Sequence, residues 1–122
     1  MAYTAIAPQP VAEAYISEAA TAQMTVVTFT AGDNTNSNTV TMTGRKILIL
    51  ARNVSGGAAG TITITASDDP YGRTATIAAF SVADTAFVAR IFEPPGWEQT
   101  LGGRDILITP SATTMEILAI PL

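Results

Sequence analysis

Thr61-Ile62-Thr63-Ile64-Thr65 alternates a β-branched polar residue with a β-branched apolar one at every position. A strand sends successive side chains to opposite faces, so Ile62 and Ile64 share a buried face and the three Thr share a wet one. Helical spacing would scatter the two Ile around the axis and bury neither. Working outward, Ser55-Gly-Gly-Ala-Ala-Gly60 precedes this strand and reads as a flexible hairpin connection. Asp68-Asp-Pro-Tyr-Gly72 follows it, with Pro70 and Gly72 in turn positions.

The same rhythm extends along the chain. Val26–Thr30 reads as a strand, then Ala31-Gly-Asp-Asn-Thr-Asn-Ser37 as a polar turn. Thr39–Thr43, Lys46–Ala51, Ala75–Phe80, Thr85–Phe92, Asp105–Thr109 and Met115–Ile120 supply further strands. No stretch in this region has the length and 3.6-residue period of a core helix. About eight short strands with regular turn chemistry predict an all-β fold. The expected form is a single antiparallel β-sandwich or a jelly-roll-like barrel spanning residues 24–122. Ile47-Leu48-Ile49-Leu50 and Glu116–Ile120 carry apolar residues on both faces. One sheet face buries only one of these rows, so the other must meet the N-terminal segment, a loop or another subunit. Another subunit is favoured.

Residues 1–23 differ in character: Ala-rich, with Pro8 and Pro10, and without a clear period. They are expected to form an N-terminal arm, extended or with a short helix over 11–20. One reading is a solvated tail. The other is an arm that orders on a partner through Tyr3, Ile6, Val11, Tyr15 and Ile16, which are more apolar than a tail requires.

Composition sets the function classes. The chain has 122 residues, enough for one domain with one core. Charged residues make up only 13%, about half the usual ~25%. A surface so poor in charge defends itself weakly against association, which points to an oligomer or a covered face. Six basic residues and a net charge of −4 make no phosphate-neutralising patch, so nucleic acid and anionic membrane surfaces are not expected partners. There is no Cys and no His. Disulfides, thiolate metal sites and the commonest general base are therefore excluded. The N-terminus lacks a cationic, apolar leader pattern, so the chain is expected to stay in the cytoplasm of the cell that makes it.

Each chemically suggestive motif has a plainer reading. Asp68 and Asp69 lack the spaced carboxylates of a calcium loop. Glu93 and Glu98 flank Pro94-Pro-Gly-Trp97 and read as solvated loop carboxylates rather than a glycosidase pair. Ser and Thr have no activating base. Asn53-Val-Ser55 matches a glycosylation sequon, but a cytoplasmic chain does not meet that machinery. Trp97, the single Trp, is either a plug over the end of the barrel or an interface anchor. Arg73 follows Tyr71-Gly72 and is expected to pair with a carboxylate such as Asp69 or with a backbone carbonyl. No catalytic residue, cofactor, metal or small-molecule substrate is expected.

Gly44-Arg-Lys-Ile-Leu-Ile-Leu-Ala-Arg-Asn53, then Gly-Gly-Ala-Ala-Gly-Thr-Ile-Thr-Ile, then the turn motif Asp69-Pro70-Tyr71-Gly72-Arg73 resemble a family of small tailed-bacteriophage virion proteins. Phe92-Glu-Pro-Pro-Gly-Trp97 and Ile117-Leu-Ala-Ile-Pro-Leu122 sit where that pattern would place them. The resemblance covers about residues 40–122, and Asp69–Arg73 is its most specific piece. It implies a head decoration (cement) protein, bound to copies of itself with a trimer favoured, and to the major capsid protein on the outer capsid surface of the virion. It leaves two alternatives: a tail, neck or head-fibre component, and a carbohydrate-binding β-sandwich module.

Overall fold

The computed structural model describes residues 3–11, 27–42, 44–67, 76–99 and 104–122. Tyr15 and Ile16 of the arm, and Asp69, Pro70, Tyr71, Gly72 and Arg73 of the turn motif, lie outside the described residues. Among those described are nine strands: β1 (Thr4–Ile6), β2 (Thr30–Ala31), β3 (Asn38–Thr41), β4 (Ile47–Asn53), β5 (Gly60–Thr65), β6 (Ile77–Val82), β7 (Phe87–Phe92), β8 (Asp105–Pro110) and β9 (Met115–Pro121).

They form two sheets, ordered β1-β3-β8-β5-β6 and β2-β9-β4-β7. The pairs β2·β9, β3·β8, β4·β7 and β5·β6 are all antiparallel, like successive rungs of one long hairpin. Rolling that hairpin lets β9 pair with β4 and β8 pair with β5, which completes the two sheets. This is the jelly-roll arrangement of eight strands. The ninth, β1, is an addition at the edge, and its pairing with β3 is parallel.

The roll changes the meaning of Ser55–Gly60. β4 and β5 lie in different sheets, so this segment crosses between sheets and is not a hairpin. Its conformation is held by Asn53, which is fully buried. Asn53 Nδ2 donates to Ala58 O at 2.8 Å and to Val82 O at 3.0 Å, while its Oδ1 accepts from Ser55 N at 3.0 Å. The glycosylation sequon therefore begins at a side chain that the fold already uses.

Alternation behaves as the sequence demands. In β5, Ile62 and Ile64 are buried and Thr61, Thr63 and Thr65 are half-buried. β4 buries Ile47, Ile49, Ala51 and Asn53 on one parity, and β9 buries Met115, Ile117 and Ala119. With Val40, Ile106 and Ile108 they form one inter-sheet core. Burying each large aliphatic contributes about 1.5–3 kcal/mol. On the other parity Leu48, Leu50 and Ile120 are half-buried, whereas Leu118 is buried yet outside that core.

β2 is shorter than Val26–Thr30 suggests, and Gln9 is the reason. β2 pairs Thr30 with Ile117, so in the same register Thr28 would face Ala119. Instead Ala119 O accepts from Gln9 N at 2.8 Å. The Gln9 side chain then meets Thr28, donating from Nε2 to its carbonyl at 2.6 Å and accepting its N–H on Oε1 at 2.9 Å. A side-chain amide occupies the rung that a longer β2 would fill.

The 31–37 turn clamps β1. Asp33 Oδ1 accepts from the N–H groups of Thr35 and Asn36, and Oδ2 accepts from Thr4 Oγ1 at 2.5 Å. Thr4 N donates to Ser37 O at 3.1 Å, and Asn38 Nδ2 donates to Thr4 O at 3.3 Å. The Thr4 hydroxyl, followed by the Asn36 N–H, holds the Asp33 carboxyl below its ordinary value.

Candidate self-association surface

Three of the exposed large apolar side chains among the described residues, Phe80, Phe87 and Ile91, lie on the β6 and β7 edges of the roll. β6 and β7 are consecutive in the chain and form the outer edges of the two sheets. Phe80 on β6 is 52% exposed, and Phe87 and Ile91 on β7 are 63% and 53% exposed. Between the two edges the sandwich opens into an apolar cleft of about 290 Å3, lined by Ile49, Ile62, Ile64, Ile77 and Val88, with Arg90 among its walls.

β7 has two different faces. Val88, Arg90 and Phe92 share the parity that faces the opposite sheet, and Phe87, Ala89 and Ile91 share the outward parity. Phe92 is buried and meets Trp97 edge-on, with ring centroids 4.9 Å apart. The Arg90 guanidinium lies 5.0 Å from the Trp97 ring and 5.4 Å from Phe92, a cation–π arrangement along the cleft. On the outward face Phe87 meets Phe29 edge-on at 6.2 Å. Phe29 in turn lies 4.1 Å beneath the Arg52 guanidinium, and Arg52 Nε reaches Glu116 Oε1 at 2.7 Å.

The two edges differ in regularity. β6 is bulged: Ile62 faces Phe80 and Ile64 faces Ile77, so Ala78 and Ala79 together oppose Thr63. Ala79 sits at φ 45°, and its N–H donates to Thr63 Oγ1 at 3.0 Å. β7 runs without interruption from Phe87 opposite Arg52 to Phe92 opposite Ile47.

The residues singled out by sequence fall in several places. Ile6 is 2% exposed inside the chain's own core, and Trp97 is 7% exposed. Ile6 follows the inward parity of β1, and Trp97 is turned in by the Pro94–Trp97 turn, where Trp97 N and Glu98 N both donate to Pro94 O. The Trp97 indole packs within the chain, against Phe92. Tyr3 is half-buried and Val11 is 40% exposed. Phe87 and Ile91 were not singled out, although Phe87-Val88-Ala89-Arg90-Ile91-Phe92 is apolar on both parities, the same signal that marked β4 and β9. Among the described residues, no three Asp or Glu cluster closely enough to hold a metal ion.

No protein-family model, curated protein or solved structure matches this chain.

Proposed function

We propose that this chain is a non-enzymatic structural protein of a phage virion, a decoration protein that self-associates on the outer head surface and stabilises the shell. The observation that carries the reading is the combination of a charge-poor sequence with a sheet edge, β7, that no strand among the described residues pairs and that bears exposed Phe87 and Ile91. Large apolar side chains on a regular edge are a liability in a solitary protein and an asset in an assembling one. The resemblance of residues 40–122 to small virion proteins supplies the assembly. The shell partner is the major capsid protein, and contact area and hydrogen bonding, without bond chemistry, would do the stabilising.

Purified protein titrated onto isolated phage heads and pelleted tests the reading. Saturation at hundreds of copies per head supports it. A few copies per particle would move the protein to a tail or neck position, and no pelleting at any concentration would remove the shell from the account.

A further inference from the structure

We infer that β7 is a self-association edge, pairing antiparallel with β7 of a second copy about a two-fold axis at Ala89. The inference deepens the self-assembly half of the functional reading and rests on it, not on the shell.

Among the described strands, three of the four sheet edges are protected. β1 has three residues and β2 has two, too short to template a partner strand. β6 has six but is bulged at Ala78–Ala79. Short strands and bulges are the common devices by which sheets avoid edge-to-edge pairing. β7, also six residues long, has neither, and no strand among the described residues pairs with its outer side.

The ladder fixes which backbone groups are on offer. Asn53 N donates to Ala86 O at 3.2 Å, which marks that position as hydrogen-bonded between the chain leading into β7 and β4. Antiparallel hydrogen-bonded positions recur every second residue. Val88, Arg90 and Phe92 therefore direct their backbone groups to β4, and Phe87, Ala89 and Ile91 direct theirs outward. An occupant must supply a strand.

A second β7 is that strand. Centring the pair on Ala89 puts Phe87 opposite the partner's Ile91, Ala89 opposite the partner's Ala89, and Ile91 opposite the partner's Phe87. All three are outward-directed on both copies, so each pair exchanges both of its hydrogen bonds. Phe87 and Ile91, the two exposed large apolar side chains of the strand, cover each other twice. Arg90, the only charge in β7, faces the partner's Val88. Shifting the centre to Arg90 would instead set it against the partner's Arg90 in a close pair about 4.5 Å between Cα atoms, a like-charge clash. The favoured register joins the two four-stranded sheets into one of eight strands.

One strand pair buries less than the roughly 1,200 Å2 of a stable free-standing interface. The dimer is therefore concentration-dependent in solution and becomes persistent where a surface holds copies together.

The full chain contains no Cys, so single-Cys variants report contacts cleanly. A hydrogen-bonded antiparallel pair separates its Cα atoms by about 5.5 Å, within disulfide range. Ala89→Cys should form a covalent dimer under mild oxidation much faster than the exposed control Val54→Cys. Ala89→Pro deletes an outward N–H that the β4 ladder does not use, and Ala89→Lys sets two cations together at the axis. Each should keep the wild-type circular dichroism spectrum and lose the dimer mass seen by light scattering. Equal cross-linking of Ala89→Cys and Val54→Cys, or a wild-type mass that survives both Ala89→Pro and Ala89→Lys, would overturn the β7 contact, as would a trimer of unchanged mass in these variants. A dimer sensitive to both substitutions that does not bind phage heads would leave the contact standing and remove the shell reading. A wild-type protein that is monomeric at every concentration, in solution and on phage heads, would overturn the β7 contact, and binding to the heads would then decide the shell reading by itself.

Discussion

Gln9 and Thr28 form a two-way bridge in which the side-chain amide of one gives and takes the backbone hydrogen bonds of the other, at 2.6 and 2.9 Å. With Gln9 N on Ala119 O, this ties the N-terminal segment to both β9 and the chain entering β2. Gln9→Ala removes two hydrogen bonds near the surface, each worth about 0.5–1.5 kcal/mol net. Urea unfolding should show a loss of about 1–2 kcal/mol, and Gln9→Glu, which cannot donate to Thr28 O, should fall between the two. An unchanged midpoint in Gln9→Ala would mean that the bridge contributes nothing to the fold.

Asp33 makes the β1 clamp depend on pH. Its carboxyl is held below its ordinary value by Thr4 and Asn36, so the folded state binds its proton more weakly than the unfolded chain does. The stabilisation is complete above the ordinary Asp value of about 3.9 and is lost as pH falls through the lower folded value. Thermal melts of wild type and Asp33→Asn should differ at neutral pH and converge in acid. A gap that stays constant from pH 7 down to pH 2 would exclude the mechanism.

Gly32 is needed for close approach. A Cβ there would lie 2.6 Å from Met115 O and 2.7 Å from Pro110 Cγ, both in or beside the sheets, and its own N–H donates to Met115 O at 2.9 Å. Gly60 is crowded too, but by the flexible Met115 side chain, whose Sδ would lie 2.7 Å from a Cβ on Gly60. Gly32→Ala should cost about 1–3 kcal/mol as an overpacking change, and Gly60→Ala clearly less. Equal losses for the two substitutions in denaturant titrations would contradict the distinction between rigid and yielding neighbours.

Asn53→Ala removes the side chain that fastens the inter-sheet crossing to β6. The Val82 carbonyl loses a buried donor and the 55–58 segment loses its anchor. A destabilisation of about 2–3 kcal/mol is expected from groups left unsatisfied. Hydrogen exchange should quicken first at Ser55, whose N–H is bound to Asn53 Oδ1. Uniform quickening across the roll with none localised there would argue against a local staple.

How much of this was legible depended on whether the deciding physics was local. Alternation in Thr61–Thr65 and the two-faced apolar pattern of Ile47–Leu50 are local, and both sets of residues fall in strands at the expected parity. The Gly-rich run 55–60 carries the same composition whether it joins neighbouring strands or crosses between sheets, so its sequence could not distinguish the two. The truncation of β2 depends on Gln9, nineteen residues before Thr28, a contact that no window around Val26–Thr30 contains. A Pro/Gly turn can point an indole either way, so the packing of Trp97 against Phe92 was not legible locally. Phe87 and Ile91 carried a legible two-faced apolar pattern, but that they lie at an edge is a property of sheet order and not of the strand itself.

The proposed role is to stabilise a shell, and calorimetry of expanded, empty phage heads is its sharpest test. Heads saturated with the protein should melt at a higher temperature than bare heads, with the shift following occupancy and vanishing when the protein is washed away. A shell transition that stays in place at full occupancy would contradict the account, because a bound protein that does not favour the intact shell is not acting as cement.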